Sequence, residues 1–228
     1  MITPTGDRPF AFDLCQRWML RQTRRPDQWI VIDDGKTPMK PYAEMEYVRR
    51  EPKTTDPKFT LGVNLAAAIP LIRGNKVLIM EDDEWYGARY VEIMTDKLNQ
   101  AEVVGIGCSK YYHIGVGKYI KHNNMDHASL AQTGFRSSFI NEFISFLEGN
   151  PFIDLRIWKA IGKRGLIFTD HDIESLYCGI KGLPGRTGIG SGHNPKVSGY
   201  LPDPGGTIFR SWVKDHEVYQ GIQGGLKS

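Results

Sequence analysis

The chain has 228 residues, enough for one large domain. Hydrophobic residues make up 40% and charged residues 24%, as in ordinary soluble proteins, and a net charge of +3 is too small to indicate nucleic-acid binding by itself. No apolar stretch approaches the ~20 residues of a membrane span, and the N-terminal residues lack the apolar core of a signal peptide. The 3 widely spaced cysteines argue against a disulfide framework or zinc cluster. We therefore expect reduced thiols in a cytoplasmic protein without a membrane partner.

Strand-like and helix-like segments alternate along most of the chain. In chain order we predict a strand over 2–5, a helix over 10–22, a strand over 29–35, a surface loop over 36–60, a helix from 61 that Pro70 ends or kinks, a strand over 76–80, a helix around 91–98, a strand over 102–107, a helix over 139–147, a short helix over 154–161 and a strand over 165–168. This alternation predicts an α/β fold with a mostly parallel sheet and helices on both faces.

Acidic residues follow two of the predicted strands. Asp33 and Asp34 end WIVIDDG, and Glu81 to Glu84 end the apolar run VLIM in VLIMEDDEWYG. Ligands of such folds bind beyond the carboxyl ends of the strands, and oxygen ligands without nearby cysteine favour Mg²⁺ or Mn²⁺. The pattern therefore predicts a cation site, although an exposed acidic turn explains it equally well.

Several motifs resemble family 2 glycosyltransferases of the GT-A fold. These motifs are TPTGDRP, QTRRPDQ, WIVIDDG, and GVNLAAAI ahead of VLIMEDDEWYGARYVEIM. Their order and spacing are similar over roughly the first 100 residues, and the combination is more specific than any motif alone. The resemblance implies a metal-dependent transfer of sugar from a nucleotide-sugar, with UDP as the expected nucleotide, to an acceptor hydroxyl. It also implies one catalytic domain over 1–201, with a Rossmann-like nucleotide-sugar half over 1–107 and an acceptor half over 108–201. Residues 202–228 are predicted to form a flexible glycine-rich tail.

The resemblance assigns roles to individual residues. Asp83 matches the acid that binds the cation, while Glu84 is expected outside the metal's ligands. The positions expected around the nucleotide-sugar are Thr3, Thr5, Arg8, Asp33, Asp34, Asn64, Glu81 and Asp82. Capping of turns is the alternative use of Thr5 and Asp34.

The resemblance also provides a candidate catalytic base. Asp154 in NPFIDLRIW matches the family's base, although Ile153 stands where the family has Glu. A helix N-cap is the alternative role for this aspartate.

A glycine-rich loop supplies further candidates. In LPGRTGIGSGH, His193 is our preferred additional metal ligand, and Arg186 suits a diphosphate. His171 in TDHD is the competing metal ligand, and an exposed loop histidine is the alternative for His193. We expect residues 182–228 to order over the bound donor as a lid.

Other functions remain open on the sequence. A sugar nucleotidyltransferase and a non-catalytic nucleotide-sugar-binding module are the alternatives. The expected acceptor is a glycan or small hydroxyl compound. A hydroxymethylated pyrimidine in phage DNA stays close behind, because KYYHIGVGKYIKH interleaves lysines with tyrosines.

Overall fold

The structure is a computed structural model that describes residues 1–149, 152–170, 175–190, 193–196 and 199–222. Its strands are β1 (Ile2–Thr5), β2 (Ile30–Asp33), β3 (Glu46–Arg49), β4 (Lys76–Leu78), β5 (Trp85–Tyr86), β6 (Val103–Ile106), β7 (Lys110–His113), β8 (Lys118–Lys121), β9 (Thr133–Arg136), β10 (Gly165–Phe168), β11 (Tyr177–Lys181) and β12 (Leu201–Pro202). Its α-helices are α1 (Pro9–Leu20), α2 (Leu61–Ala68), α3 (Tyr90–Lys97), α4 (Ile140–Ser145), α5 (Ile153–Ile161) and α6 (Thr207–Trp212).

A mostly parallel sheet forms the centre of the molecule. β1, β2 and β3 pair in parallel, and a parallel bridge between Ile2 and Ile79 joins β1 to the sheet that contains β4, β9, β6 and β10. β9 runs antiparallel to β4 and β6, whereas β10 is parallel to β6. Thr5 pairs with Asp33 in the register of β1 and β2, so these strands end at the same edge of the sheet.

Helices cover both faces of this sheet because successive strand residues point to opposite sides. In β2, Ile30 and Ile32 pack into the core formed with α2, α4 and α5. Val31, between them, packs into the other core, with residues of α1 and α3. The predicted architecture, a mostly parallel sheet with helices on both faces, is confirmed.

A second, smaller sheet lies beside the acidic run. Its strand order is β12-β8-β7-β11-β5, and β5 follows Glu84 directly. None of these five strands was predicted from the sequence. Residues 36–60, predicted as a surface loop, contain β3. Short strands with half-buried residues, such as those of β3, produce too little hydrophobic alternation to be detected.

The C-terminal segment packs on the core. β12 pairs with β8, and Phe209, Val213 and Tyr219 are at most 2% exposed. A flexible tail was predicted over 202–228, whereas the structure packs this segment on the core as far as residue 222. Residues 223–228 lie outside the described residues. None of the helices within the described ranges combines the length and hydrophobicity of a bilayer span.

Candidate functional site

A cavity of about 1180 Å³ opens beyond the carboxyl ends of β1 and β4. Thr5, Arg8, Asn64, Glu81 and Asp83 line one part of it. The remaining lining includes the start of α5 with Asp154, and the glycine-rich loop with Arg186 and His193. The fold thus brings most of the predicted site residues to a single cavity.

The acidic run at this edge is almost fully enclosed. Asp82, Asp83 and Glu84 are at most 7% exposed, and Thr5 Oγ1 donates a 2.6 Å hydrogen bond to Asp82 Oδ2. Carboxylate oxygens of Glu81, Asp83 and Glu84 lie within 4.8 Å of one another. Glu84, which we expected outside the metal's ligands, is therefore part of the acidic triad.

Two cations offset the charge of this run. Arg8 Nη1 lies 2.6 Å from Asp83 Oδ2, and Arg8 Nη2 lies 2.8 Å from Asp82 Oδ1. Lys181, at the end of β11, forms a buried ion pair with Glu84. The four carboxylates still exceed these cations by two negative charges when all are ionised.

The electrostatics of the run follow from its burial. Desolvation raises the pKa of Glu81 to about 7 and that of Asp82 to about 6. Desolvation also raises the pKa of Glu84, whereas the charge of Lys181 favours its ionised form. Desolvation opposes ionisation of Asp83 as well, but the charges of Arg8 and Lys181 hold its pKa below the ordinary value. Asp83 is therefore the carboxylate of the run that favours the charged form most.

The residues at this edge fit a hard divalent cation. Asp83 Oδ1 is buried, and no residue in the described ranges gives it a hydrogen-bond partner. Burial, with the nearby charge of Lys181, lowers the pKa of His193 to about 4, so its imidazole is in the neutral form that binds metals. Glycine at 188 allows the ring to approach, because a Cβ there would lie 2.5 Å from His193 Nε2. Asp83 and His193 are the residues that would hold the cation, and the Glu81 carboxylate lies beside that of Asp83.

A network of arginines surrounds the second acidic motif. Arg50 donates through Nη2 to Asp34 Oδ2 at 2.9 Å and through Nε to Asn64 Oδ1 at 2.6 Å. Arg186 Nη1 donates to the other oxygen of Asp34 at 2.8 Å, and its Nη2 donates to Asp7 at 3.1 Å. Arg186 thus ties the glycine-rich loop to the β2 edge, beside the cavity.

Four predicted donor residues lie outside the lining of the cavity: Thr3, Asp33, Asp34 and Asp82. Thr3 Oγ1 accepts a 2.9 Å hydrogen bond from Trp29 Nε1. Asp33 accepts a 2.9 Å hydrogen bond from the Met39 backbone N–H and forms a 2.9 Å ion pair with Arg49. In these contacts Thr3 and Asp33 support the ends of β1 and β2.

Asp154 lies in the first turn of α5 and faces the same cavity. The N-cap of this helix is Phe152, which makes no capping hydrogen bond through its side chain, so Asp154 is not the cap. Burial raises the pKa of Asp154, and the nearby His127 partly offsets the shift. A carboxylate with a raised pKa in a cavity is suited to accept a proton.

The cavity lining also includes Lys181 and His127, which were not predicted as site residues from the sequence. Tyr111, one of the tyrosines of KYYHIGVGKYIKH, lines the cavity as well. The one available signal for Lys181 was a cation that ends the apolar stretch YCGI. His171, the competing metal ligand, lies outside the described residues.

Similarity to solved structures places this geometry in a known fold. S. aureus TarS in complex with UDP superposes with a TM-score of 0.56 at 11% identity, over 78% of this chain and 59% of that chain. The TarS complex with UDP-GlcNAc gives a TM-score of 0.55 at 13% identity, over 82% and 58% of the two chains. No protein-family model and no curated protein sequence matches the chain.

These comparisons concern the fold. TarS has the GT-A fold that the sequence motifs predict, so the predicted fold is confirmed. The chain spans less than two thirds of the TarS chains that it matches.

Proposed function

We propose that the protein is a glycosyltransferase that moves a sugar from a nucleotide-sugar, with UDP as the nucleotide, to an acceptor hydroxyl. The observation that carries the proposal is the position of Asp83 at the edge of a GT-A-type sheet, where the residue lines the cavity and its buried Oδ1 has no hydrogen-bond partner among the described residues. UDP and UDP-GlcNAc are bound by TarS, which shares the fold.

The donor side of the site is built to hold a nucleoside diphosphate. Thr5, Arg8, Asn64, Glu81 and Arg186 contact or border the nucleotide-sugar in this proposal, and Asp34 and Asp82 hold Arg186 and Arg8 in place. Thr3 and Asp33 act from behind, by fixing the strand ends. Mn²⁺ or Mg²⁺, held by Asp83 and His193, would supply Lewis-acid stabilisation of the leaving diphosphate.

Asp154 takes the role of general base. The acceptor oxygen attacks the anomeric carbon and forms the new glycosidic bond, while its proton passes to the Asp154 carboxylate. The bond between the anomeric carbon and the β-phosphate oxygen breaks, and its electron pair leaves with the nucleoside diphosphate. Arg8 and Arg186 provide positive charge where this negative charge collects.

The acceptor is proposed to be a glycan or a small hydroxyl compound. Tyr112 is buried with its ring stacked 4.4 Å from that of Phe209, and the Tyr119 ring lies 5.4 Å from that of Trp212. Two of the three tyrosines that suggested stacking on DNA bases thus pack within the protein, while Tyr111 faces the cavity.

DNA is the alternative acceptor. Of the lysines that suggested it, Lys121 is exposed and Lys118 is half-buried. A gel-shift series on duplex DNA at rising salt separates the two acceptors, because phosphate contacts weaken steeply with salt. A complete lack of binding at low salt would eliminate DNA.

Release of UDP tests the proposed reaction. The protein is incubated with Mn²⁺ and a panel of UDP-sugars, with and without pooled glycans, and UDP is quantified. We expect release from at least one donor and an increase with acceptor. Formation of a UDP-sugar from UTP and a sugar 1-phosphate would instead identify a nucleotidyltransferase. Nucleotide binding without turnover would identify a binding module.

The compartment is proposed to be the cytoplasm. Cys15 and Cys178 are buried, and all three cysteines are free thiols. Free thiols are typical of a reducing environment.

A further inference from the structure

The ion pair between Glu84 and Lys181 occupies an unusual place for a structural salt bridge. Their side chains are 2% and 8% exposed, yet both residues line the cavity. Buried ion pairs contribute little net stability compared with apolar residues of similar size, so their presence needs another reason. The position of this pair beside a ligand cavity suggests such a reason.

The strand that carries Lys181 is fixed on both sides. Glu84 Oε2 accepts a 2.6 Å hydrogen bond from the Ile180 backbone N–H, and Glu84 Oε1 accepts one from Lys181 Nζ. Gly179 passes so close to Tyr111 that a Cβ would lie 2.3 Å from a ring carbon. The ammonium lies 5.4 Å from the centre of the same ring. Lys181 is therefore held in a defined position rather than on a mobile side chain.

The ammonium keeps hydrogen-bonding capacity in this position. A lysine ammonium has three donors, and across the described ranges Glu84 is its one hydrogen-bond acceptor. Both oxygens of Glu84 are occupied, by Ile180 N–H and by Lys181 itself. The carboxylate thus orients the lysine, while the remaining donors are available to a ligand in the cavity.

We propose that Lys181 binds the terminal phosphate of the nucleoside diphosphate and stabilises it as the sugar departs, with Glu84 as its positioning residue. This role rests on the proposed function. When the bond from the anomeric carbon to the phosphate oxygen breaks, the electron pair remains on that oxygen, and an N–H of Lys181 donates to the phosphate. Preorganised donors of this kind stabilise developing charge more effectively than water does.

Affinities for UDP and UMP test this role, because UMP lacks the terminal phosphate. Calorimetry with Mn²⁺ measures both ligands on the wild type, on Glu84→Gln and on the double variant Glu84→Gln with Lys181→Met. The double variant removes both charges together, so no unpaired charge is buried. In the double variant we expect the ratio of the dissociation constants for UMP and UDP to fall by about tenfold or more, because loss of a hydrogen bond between charged groups weakens binding by about this factor. Glu84→Gln alone should lose part of the preference, because the amide oxygen can replace only one of the two carboxylate oxygens that hold Ile180 N–H and Lys181 Nζ. A preference equal to that of the wild type in this variant would overturn the positioning role of Glu84.

The outcomes separate this role from the proposed function. A wild type that binds neither nucleotide overturns both. A wild type that prefers UDP, together with a folded double variant that keeps the same preference, overturns the role of Lys181 alone. Lys181→Gln provides a second measurement if the double variant unfolds, because the amide retains a hydrogen bond to Glu84 without the charge. An unchanged preference in that variant also overturns the role.

Discussion

Arg8 Nη1 lies 2.6 Å from Asp83 Oδ2, on the carboxylate that we expect to bind the cation. The same guanidinium reaches Asp82, so one arginine is the shared counter-ion of two buried acids of the run. Asp83 Oδ1 accepts no hydrogen bond from any of the described residues. Arg8 therefore keeps the acidic run compatible with folding before any cation binds.

Replacing Arg8 should destabilise the fold. Arg8→Met leaves Asp82 and Asp83 buried without their shared counter-ion, so we expect the free energy of unfolding to fall by about 3–5 kcal/mol. Urea denaturation followed by tryptophan fluorescence measures it. Arg17→Met is the matched control, because the ion pair of Arg17 with Asp13 is largely exposed and contributes about 0–1 kcal/mol. An equal loss of unfolding free energy in the two variants would contradict this role of Arg8.

Asp83 should make nucleotide binding depend on a divalent cation. Asp83→Asn is expected to weaken UDP affinity about tenfold or more with Mn²⁺ present and to change it little after chelation, because the amide is a poorer ligand. Isothermal titration calorimetry measures both conditions. Asp96→Asn, an exposed site on α3, serves as the control. Wild-type affinity that is unaffected by chelation would rule out the metal role of Asp83.

The sequence was sufficient for the parts of the fold that have strong periodicity. β2 and β4 overlap the apolar runs WIVI and VLIM, and α5 has a clear apolar face, so their positions were predicted within a few residues. The acids that follow these strands could be placed at one edge because parallel strands share their carboxyl ends.

Features that depend on distant pairing could not be predicted. Lys181 and Glu84 are 97 positions apart, and only the folded strands bring them together. Thr3 and Asp33 match the family's motifs, but hydrogen bonds from Trp29 and Met39 turn them away from the cavity lining. The C-terminal segment has many glycines, which concealed the few aromatic residues that anchor it.

Phe209 should be such an anchor. Its side chain is 2% exposed, and its ring stacks on Tyr112 and contacts Tyr219. Phe209→Ala should therefore lower the free energy of unfolding by about 3–5 kcal/mol, by loss of burial and creation of a cavity. Leu201→Ala, at a side chain 52% exposed, should change it by less than about 0.5 kcal/mol. Equal stability of the two variants would support the flexible tail predicted from the sequence.

Asp154 should act as a base with a shifted pH dependence. Because burial raises its pKa above the ordinary 3.8, the rate should fall with decreasing pH at a higher pH than for an exposed aspartate. Asp154→Asn should slow acceptor-dependent release of UDP by about 10²–10⁴-fold and leave UDP affinity unchanged.

The same raised pKa of Asp154 affects stability. The ionised carboxylate destabilises the fold above the folded-state pKa, so the neutral Asn should raise the Tm near pH 7. Below about pH 3, where the carboxyl is protonated in both states, the Tm gain should vanish. Asp96→Asn should change neither rate nor Tm, and a folded Asp154→Asn protein with wild-type turnover would exclude the base role.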